Sequence, residues 1–324
     1  MAVFRIFLRL GRLVALMAFV ALAVFGLMKA SPIDPVEAYL GPAMVHVAPE
    51  QKAAIEAAWG LDRPAAEQAL IWLGHLLRGD PGRSTAYNAP VTQVLGDRIG
   101  ASLALSGLAW ILSGILGGAL GLIAAARAGS WLDRGIRVYC YVLAATPTFW
   151  LAMMLLMLFS VWLGWTPICC AGPVGVAPGQ VGLGARLHHL LLPLTALTLF
   201  GVAQIALYTR AKLIEVLGAD YVTFARAQGA GTVDIVLRHG VRNAALPALT
   251  ILFASVGELL GGAILAEQVF AWPGLGRATV EAGIKGDVPL LLAIALLTTG
   301  VVMAGNLIAD LLYGVVDPRM RRPL

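Results

Sequence analysis

Residues 223–247 read "TFARAQGAGTVDIVLRHGVRNAALP". The stretch interrupts a very hydrophobic chain with basic residues, glycines and a final proline. Gly229 and Gly231 break a helix into short pieces, because glycine costs helical stability. Ala225 and Gly229 lie four residues apart, so a helix through both has a small-residue face that another surface can approach closely. The pattern predicts short helices that form a small projecting surface for docking to another protein. The segments on either side of the stretch indicate where this surface lies.

The chain around this stretch has the composition of a membrane protein. Its 324 residues are 59% hydrophobic and 13% charged, with a mean hydropathy of +0.83, whereas a soluble domain is about a quarter charged. A spanning helix needs about 20 mostly apolar residues. We therefore predict an all-α membrane protein with six transmembrane helices, in the runs Leu13–Met28, Ala101–Ala126, Val138–Leu163, Leu187–Tyr208, Ala244–Ala266 and Val288–Ala309.

The positive charges predict the orientation. The start could be a cleaved signal peptide, but "MKASPIDP" lacks a clear cleavage site, so a retained first span is favoured. With both termini in the cytoplasm, Lys and Arg are denser in the inside segments than in the outside ones, as the positive-inside rule expects. The opening stretch then lies in the longest cytoplasmic segment. The net charge of +5 follows from this topology, and we predict no nucleic-acid partner.

Three domains are predicted along the chain. Residues 1–30 form the cytoplasmic N-terminus and the first span, and residues 31–98 form an external helical insert. Residues 99–324 form a core of five spans with a loop at 215–247. Within the insert, one helix is expected to start at Pro49 and stop at Gly60, and a second to start at Pro64, since proline is favoured in the first turn of a helix.

Catalytic motifs are missing from the sequence. It has no G-x-x-x-x-G-K-[ST] loop, no H-E-x-x-H and no G-x-S-x-G. We therefore predict that the chain is not an enzyme, with no cofactor and no assigned metal. Cys140 is read as a small apolar residue within a span. For the adjacent Cys169 and Cys170, two separate thiols are favoured over a vicinal disulfide.

Residues 215–250, "EVLGADYVTFARAQGAGTVDIVLRHGVRNAALPALT", carry a family resemblance. They strongly resemble the cytoplasmic loop of ABC importer permeases, and most closely the B-type permeases of the dipeptide, oligopeptide and nickel group. Three further pieces are similar to this group: "WGLDRP", "FAWPGLGR" and "DLLYGVVDPRMRR". Pro81 in "GDPGRS" departs from the group's usual leucine. The loop residues that match are Asp220, Tyr221, Ala225, Arg226, Ala227, Gly229, Arg238, His239, Arg242, Asn243, Ala244, Leu246 and Pro247.

The resemblance implies a function for these matched residues. The loop 215–247 is expected to couple the permease to cytoplasmic ATPases through Asp220, Ala225, Arg226, Ala227, Gly229, Arg238, His239, Arg242, Asn243 and Pro247. One permease forms half of a translocation path in the bacterial inner membrane. A second permease, two ABC ATPase subunits that hydrolyse ATP, and an external solute-binding protein are implied as partners.

The transported substrate remains open between two classes at this point. Glu258 lies within a span, where a carboxylate is costly unless it faces water or a partner, so it is predicted to face the translocation path. Nickel or a metal chelate is favoured over di- or oligopeptides, because several soft or borderline ligand types occur near the outer side. These are Cys169, Cys170, His188, His189, Met153, Met154 and Met157. A stand-alone carrier is the more remote alternative.

Overall fold

The structure is a computed structural model that describes residues 2–30, 32, 34–40, 47–58, 60–236, 240, 249 and 252–316. Four helices come first: α1 (Ala2–Ala30), α2 (Pro35–Leu40), α3 (Pro49–Ala58) and α4 (Ala65–Leu77). A two-stranded antiparallel hairpin follows, with β1 (Arg83–Ser84) paired to β2 (Ala89–Pro90). This hairpin is a small addition to the helical architecture that the sequence predicts.

Nine further helices follow the hairpin within the described residues. They are α5 (Val91–Ala126), α6 (Trp131–Ala145), α7 (Thr148–Leu155), α8 (Leu183–Leu217), α9 (Asp220–Ala227), α10 (Thr232–Ile235), α11 (Val256–Val269), α12 (Leu275–Ile284) and α13 (Val288–Val316). A π-helical segment, Leu156–Trp162, continues directly from α7, and a short 3-10 turn covers Pro178–Gln180.

In the part of the chain that the structure describes, three helices are long and apolar enough to cross a membrane: α5, α8 and the part of α13 from Val288 to Ala309. A bent pair made of α6 and α7 with its π-helical extension gives a fourth span if counted as one. The other two predicted spans correspond to shorter apolar helical segments, Gly11–Leu27 and Leu260–Val269. Six spans with cytoplasmic termini therefore stay a prediction.

The predicted third span, Val138–Leu163, is not one continuous helix. α6 ends at Ala145, α7 begins at Thr148, and the two helices are bent by 104°. Pro147 lies between them in extended conformation. The break has a local cause, because proline has no backbone N–H and disfavours helical geometry in the residue before it.

Residues 31–98 contain the two helices that Pro49 and Pro64 predict. α3 starts at Pro49, and α4 follows Pro64 after a turn in which Gly60 has a φ of +67°. Lys52 of α3 contacts Asp34 at 2.7 Å and Glu37 of α2 at 2.8 Å. These contacts, first the hydrogen bond to Asp34, raise the pKa of Lys52 above its usual value. The ammonium therefore holds α2 beside α3.

The chain divides into two compact units. The first comprises residues 1–100 and 274–303, and the second comprises residues 101–273 and 304–324. The three-domain division predicted from the sequence stays a prediction.

A small apolar core lies inside the first unit, with members from α5, α12 and α13: Val91, Val94, Ala278, Ala282, Leu290, Ala293 and Ile294. Beside it, the carboxylate of Asp287 is fully buried and accepts hydrogen bonds from the hydroxyl of Ser84 at 2.5 Å and from the backbone of Ala86 at 2.9 Å. Asp287 also caps α13 by accepting from the N–H of Leu290 at 3.1 Å. One carboxylate thus ties the hairpin to the start of α13.

The main core of the second unit packs α5, α7, α8 and α11 together. Its buried members are Leu105, Ala109, Ala152, Leu190, Leu192, Ala196, Leu197, Ala263, Ala266, Phe270 and Trp272. Small residues are frequent in this set, as expected where membrane helices approach closely.

α5 and α8 approach each other closely at two glycines. A Cβ at Gly121 would lie 2.6 Å from the carbonyl oxygen of Ala206, and one at Gly117 would lie 2.9 Å from that of Val202. Any larger residue would collide with backbone there, so these positions require glycine. Gly121 lies near the end of α8 that leads into α9.

Candidate functional site

Residues 218–236, called the coupling segment below, follow directly from α8. The N–H of Gly218 donates to the carbonyls of Ile214 at 3.1 Å and Glu215 at 3.3 Å, which closes the last turn of α8. Ala219 is extended, and α9 then begins at Asp220. The acidic residue in the first turn and Arg226 in the last turn both suit the helix dipole. A short, locally stabilised helix therefore projects from the end of a spanning helix.

α9 ends in a Schellman motif at Gly229. The N–H of Ala230 donates to Ala225 at 3.1 Å, and the N–H of Gly229 donates to Arg226 at 2.9 Å. Gly229 has a φ of +89°, and a Cβ there would meet nothing within 4 Å. The predicted helical face shared by Ala225 and Gly229 is therefore wrong, because the helix stops at Ala227. Glycine is needed at 229 for its left-handed backbone conformation.

Most of the surface of α9 is exposed. Val222 is fully buried and anchors the helix, whereas the side chain of Phe224 is 66% exposed and that of Tyr221 is 46% exposed. Tyr221 and Phe224 lie three residues apart, so their rings lie on one side of the helix. Phe224 is not among the coupling residues that the sequence predicts. The available signal was an aromatic residue inside a short polar helix.

The far side of the coupling segment is packed on the end of α8. Leu213 of α8 is fully buried in a cluster with Ala125 of α5 and Val236. Ile235, at the end of α10, is also fully buried. Gly240 packs closely against the same side chain, since a Cβ there would lie 2.6 Å from a methyl group of Leu213. The coupling segment is thus fixed at both ends, with α9 exposed between them.

The predicted coupling residues divide into two groups. Asp220, Ala225, Arg226, Ala227 and Gly229 all lie on α9 or its terminating turn, and all but the half-buried Ala225 are exposed. The other predicted residues lie outside the described residues: Arg238, His239, Arg242, Asn243 and Pro247.

Two carboxylates belong to α11, one predicted and one missed. Glu258 lies in the first half of this helix, but its side chain is outside the described part of the structure. Glu267 lies near the other end, is 1% exposed, and accepts a hydrogen bond of 2.5 Å from the hydroxyl of Ser102 on α5. Next to this pair, the indole N–H of Trp272 donates to the carbonyl of Ala101 at 3.1 Å. Together these contacts hold the end of α11 against α5.

The segment between α7 and α8 does not gather its cysteines and histidines into a metal site. Cys169 and Cys170 form a vicinal disulfide, so the favoured prediction of two separate thiols is wrong. Nδ1 of His189 donates to the carbonyl of Cys169 at 2.9 Å, and Nε2 of His188 donates to that of Trp165 at 2.8 Å. Both imidazoles thus fix the loop backbone. Among the described residues, no three His, Cys, Asp or Glu side chains meet as a metal site.

The three methionines that were considered as soft ligands are also accounted for by their exposure. Met153, Met154 and Met157 are about half exposed on α7 and its π-helical extension. Exposed methionines on an apolar helix are ordinary lipid-facing or packing residues. The segment between α7 and α8 therefore offers no support for the nickel interpretation.

The sequence matches a known protein family. Residues 117–322 match the family described as "Binding-protein-dependent transport system inner membrane component". The chain belongs to this family. The permease is therefore a multi-pass protein of the bacterial inner membrane, and the predicted resemblance to importer permeases is confirmed.

Curated relatives cover nearly the whole permease. The oligopeptide transport system permease protein AppB of Bacillus subtilis is 36% identical over 297 residues, which are 91% of this chain and 92% of the relative. The di/tripeptide transport system permease protein DppB of Pseudomonas aeruginosa is 35% identical, covering 97% of both chains. Both of these relatives carry names that describe peptide transport.

One solved structure shares the fold of the permease. It is described as inward facing conformations of the MetNI methionine ABC transporter, and it matches with a TM-score of 0.57 and 18% identity. The match covers 70% of this chain and 97% of the other. At this identity the likeness shows the fold alone, which is that of an ABC importer permease.

Proposed function

We propose that the permease forms half of the translocation path of an ATP-driven importer of di- or oligopeptides. The proposal rests on two relatives with peptide-transport names that match more than nine-tenths of the chain. Nickel, favoured from the sequence, lacks a comparable supporting observation, because the cysteines are joined and the histidines hold backbone carbonyls.

The single observation that carries the mechanism is the exposed helix α9. An apolar side chain that is 66% exposed on an eight-residue helix suits insertion into a pocket on another protein. The ends of the coupling segment are fixed, so force applied to α9 reaches α8 through packed side chains. ATP-driven closure of two ATPase subunits then moves the spanning helices as rigid bodies and alternates access to the path.

The proposed partners follow from the family and from the proposal that one permease forms only half of the path. The family description names a binding-protein-dependent system. The proposed complex contains this permease, a second permease, two cytoplasmic ABC ATPases and an external solute-binding protein. In this complex the ATPases hydrolyse the ATP.

Uptake by the whole complex tests the proposed substrate. The permease is co-expressed with the four partner subunits in cells that lack other peptide importers, and radiolabelled dialanine, tetraalanine and nickel are compared. We expect uptake of at least one peptide, abolished when the ATPase genes are omitted. Uptake of nickel without either peptide would contradict the proposal, as would failure of the ATPases to co-purify with the permease.

Glu258 is proposed to face the translocation path, where its charge lowers the barrier for the ammonium group of a peptide. A carboxylate at membrane depth is expensive unless it is hydrated or paired. We expect Glu258→Gln to reduce uptake of the transported peptide severalfold while complex assembly and basal ATPase activity stay unchanged. Gln268→Ala, an exposed position on the same helix, is the control. Unchanged uptake in Glu258→Gln would remove this residue from the path.

A further inference from the structure

A buried ion pair joins α6 to α8 close to the coupling segment. Asp133, in the first turn of α6, is fully buried. Its Oδ1 accepts from Nε of Arg210 at 2.5 Å, and its Oδ2 accepts from the second guanidinium nitrogen at 2.8 Å. This is a bidentate pair, the geometry that holds two groups in one fixed orientation. Arg210 lies on α8 just before the coupling segment begins.

The remaining capacity of the carboxylate is also used. The N–H of Gly129 donates to Oδ2 at 3.0 Å, and Nε of Arg137 lies 3.5 Å from Oδ1. Ser130 caps the same helix by accepting from the N–H of Asp133 at 3.2 Å. The carboxylate is therefore held by its own helix start as well as by α8, and it cannot follow α8 without moving α6.

The pair lies where three helices are already in close contact. Gly121 of α5 admits no side chain against Ala206 and Thr209 of α8. One turn further along, Leu213 packs with Val236 of the coupling segment. On α6, Cys140 and Leu143 pack with α8 in a separate apolar cluster. The ends of α5, α6 and α8 thus form one block beside the coupling segment.

α6 leads into α7 through a sharp bend. The two helices are bent by 104° at Pro147. α6 packs on α8 through apolar side chains, and the bidentate pair adds a charged contact with a fixed direction. Buried ion pairs of this kind often add little net stability but fix one arrangement of the parts they join.

We propose that Asp133 and Arg210 are positioning residues that transmit the movement of the coupling segment to α6 and make transport follow ATP hydrolysis. The inference rests on the proposed function, since it assigns a route for the force that the ATPases apply. The guanidinium fork is essential to the role. A lysine at position 210 would keep the charge, but its ammonium is a point charge and would let the two helices rotate about the contact.

The test compares Arg210→Lys with Lys212→Arg in the reconstituted five-subunit complex. Lys212 is two residues away on α8 and pairs at 2.7 Å with Glu215, but both side chains are exposed, so it is a matched control. Radiolabelled dialanine or tetraalanine, whichever the wild type transports, is the probe. We expect the amount of peptide transported per ATP hydrolysed to fall about fivefold or more in Arg210→Lys, with wild-type assembly and continued ATP hydrolysis, and to stay unchanged in Lys212→Arg.

Two outcomes would overturn the inference. One is an unchanged ratio of peptide to ATP in Arg210→Lys. The other is loss of assembled complex in this mild variant, which would make the pair a stability element. Charge exchange, Asp133→Arg with Arg210→Asp, adds a second readout, because restoring the pair should recover part of the ratio lost in Asp133→Arg alone. If the wild-type complex itself fails to couple transport to ATP, the proposed function fails instead.

Discussion

Phe224→Asp is expected to abolish peptide uptake almost completely. The ring of Phe224 is 66% exposed on α9 and is proposed to enter a pocket on an ATPase subunit. An aspartate there would bury a charge without a partner, and loss of a hot-spot side chain costs about 2 kcal/mol or more. We therefore expect uptake to fall by about tenfold or more, and co-purification of the ATPases to fall with it.

The controls for Phe224→Asp separate docking from folding. Phe224→Leu keeps an apolar side chain and should retain most uptake. Glu215→Ala changes a side chain that is 69% exposed on α8 and should be neutral. Because Phe224 is exposed, membrane insertion and the amount of purified permease should be the same in all three variants. Normal uptake and normal ATPase co-purification in Phe224→Asp would remove α9 from the docking surface.

Asp287→Ala is expected to have the largest effect on stability. The fully buried carboxylate accepts from Ser84, from the backbone of Ala86 and from the backbone of Leu290. Alanine would leave these donors without an acceptor, and each unsatisfied buried donor costs about 1–3 kcal/mol. We expect a loss of about 3 kcal/mol or more, seen as a clear fall in the unfolding temperature of the purified permease in detergent.

The exposed Asp97 on α5 is the matched control for this change. Asp97→Ala should leave the unfolding temperature close to the wild-type value. Asp287→Asn should be intermediate, because its amide keeps one acceptor oxygen but turns an NH₂ group towards the donors. Equal unfolding temperatures for Asp287→Ala and Asp97→Ala would mean that this carboxylate does not hold the hairpin to α13.

Local chemistry explains which parts of the fold the sequence predicts. Pro49 and Pro64 mark the beginnings of α3 and α4. Proline suits the first turn of a helix and disfavours helical backbone geometry in the residue before it. Pro147 obeys the same rule, yet hydropathy alone predicts one span across it. Apolar composition reports that a segment lies in the membrane, and it carries no information about where the helix bends.

Pairings between distant residues explain most of what the sequence does not predict. Asp133 and Arg210 are 77 residues apart, and Ser84 and Asp287 are 203 apart. A single sequence shows each as an isolated polar residue, so neither buried pair could be recognised. Gly229 shows that local sequence can also be ambiguous. A glycine four residues after Ala225 fits both a small-residue helical face and a helix cap. Its backbone φ of +89° in the structure shows that it is the cap.

Cross-linking from position 224 tests the central claim most directly. A photoreactive amino acid is placed at Phe224 and, in a separate variant, at Ala54 of the predicted external insert, and each is irradiated in cells that express the whole complex. The account predicts a cross-link from position 224 to an ATPase subunit and none from position 54. Cross-linking of the ATPase from position 54, or its absence from position 224 in a complex that transports peptide, would contradict the account.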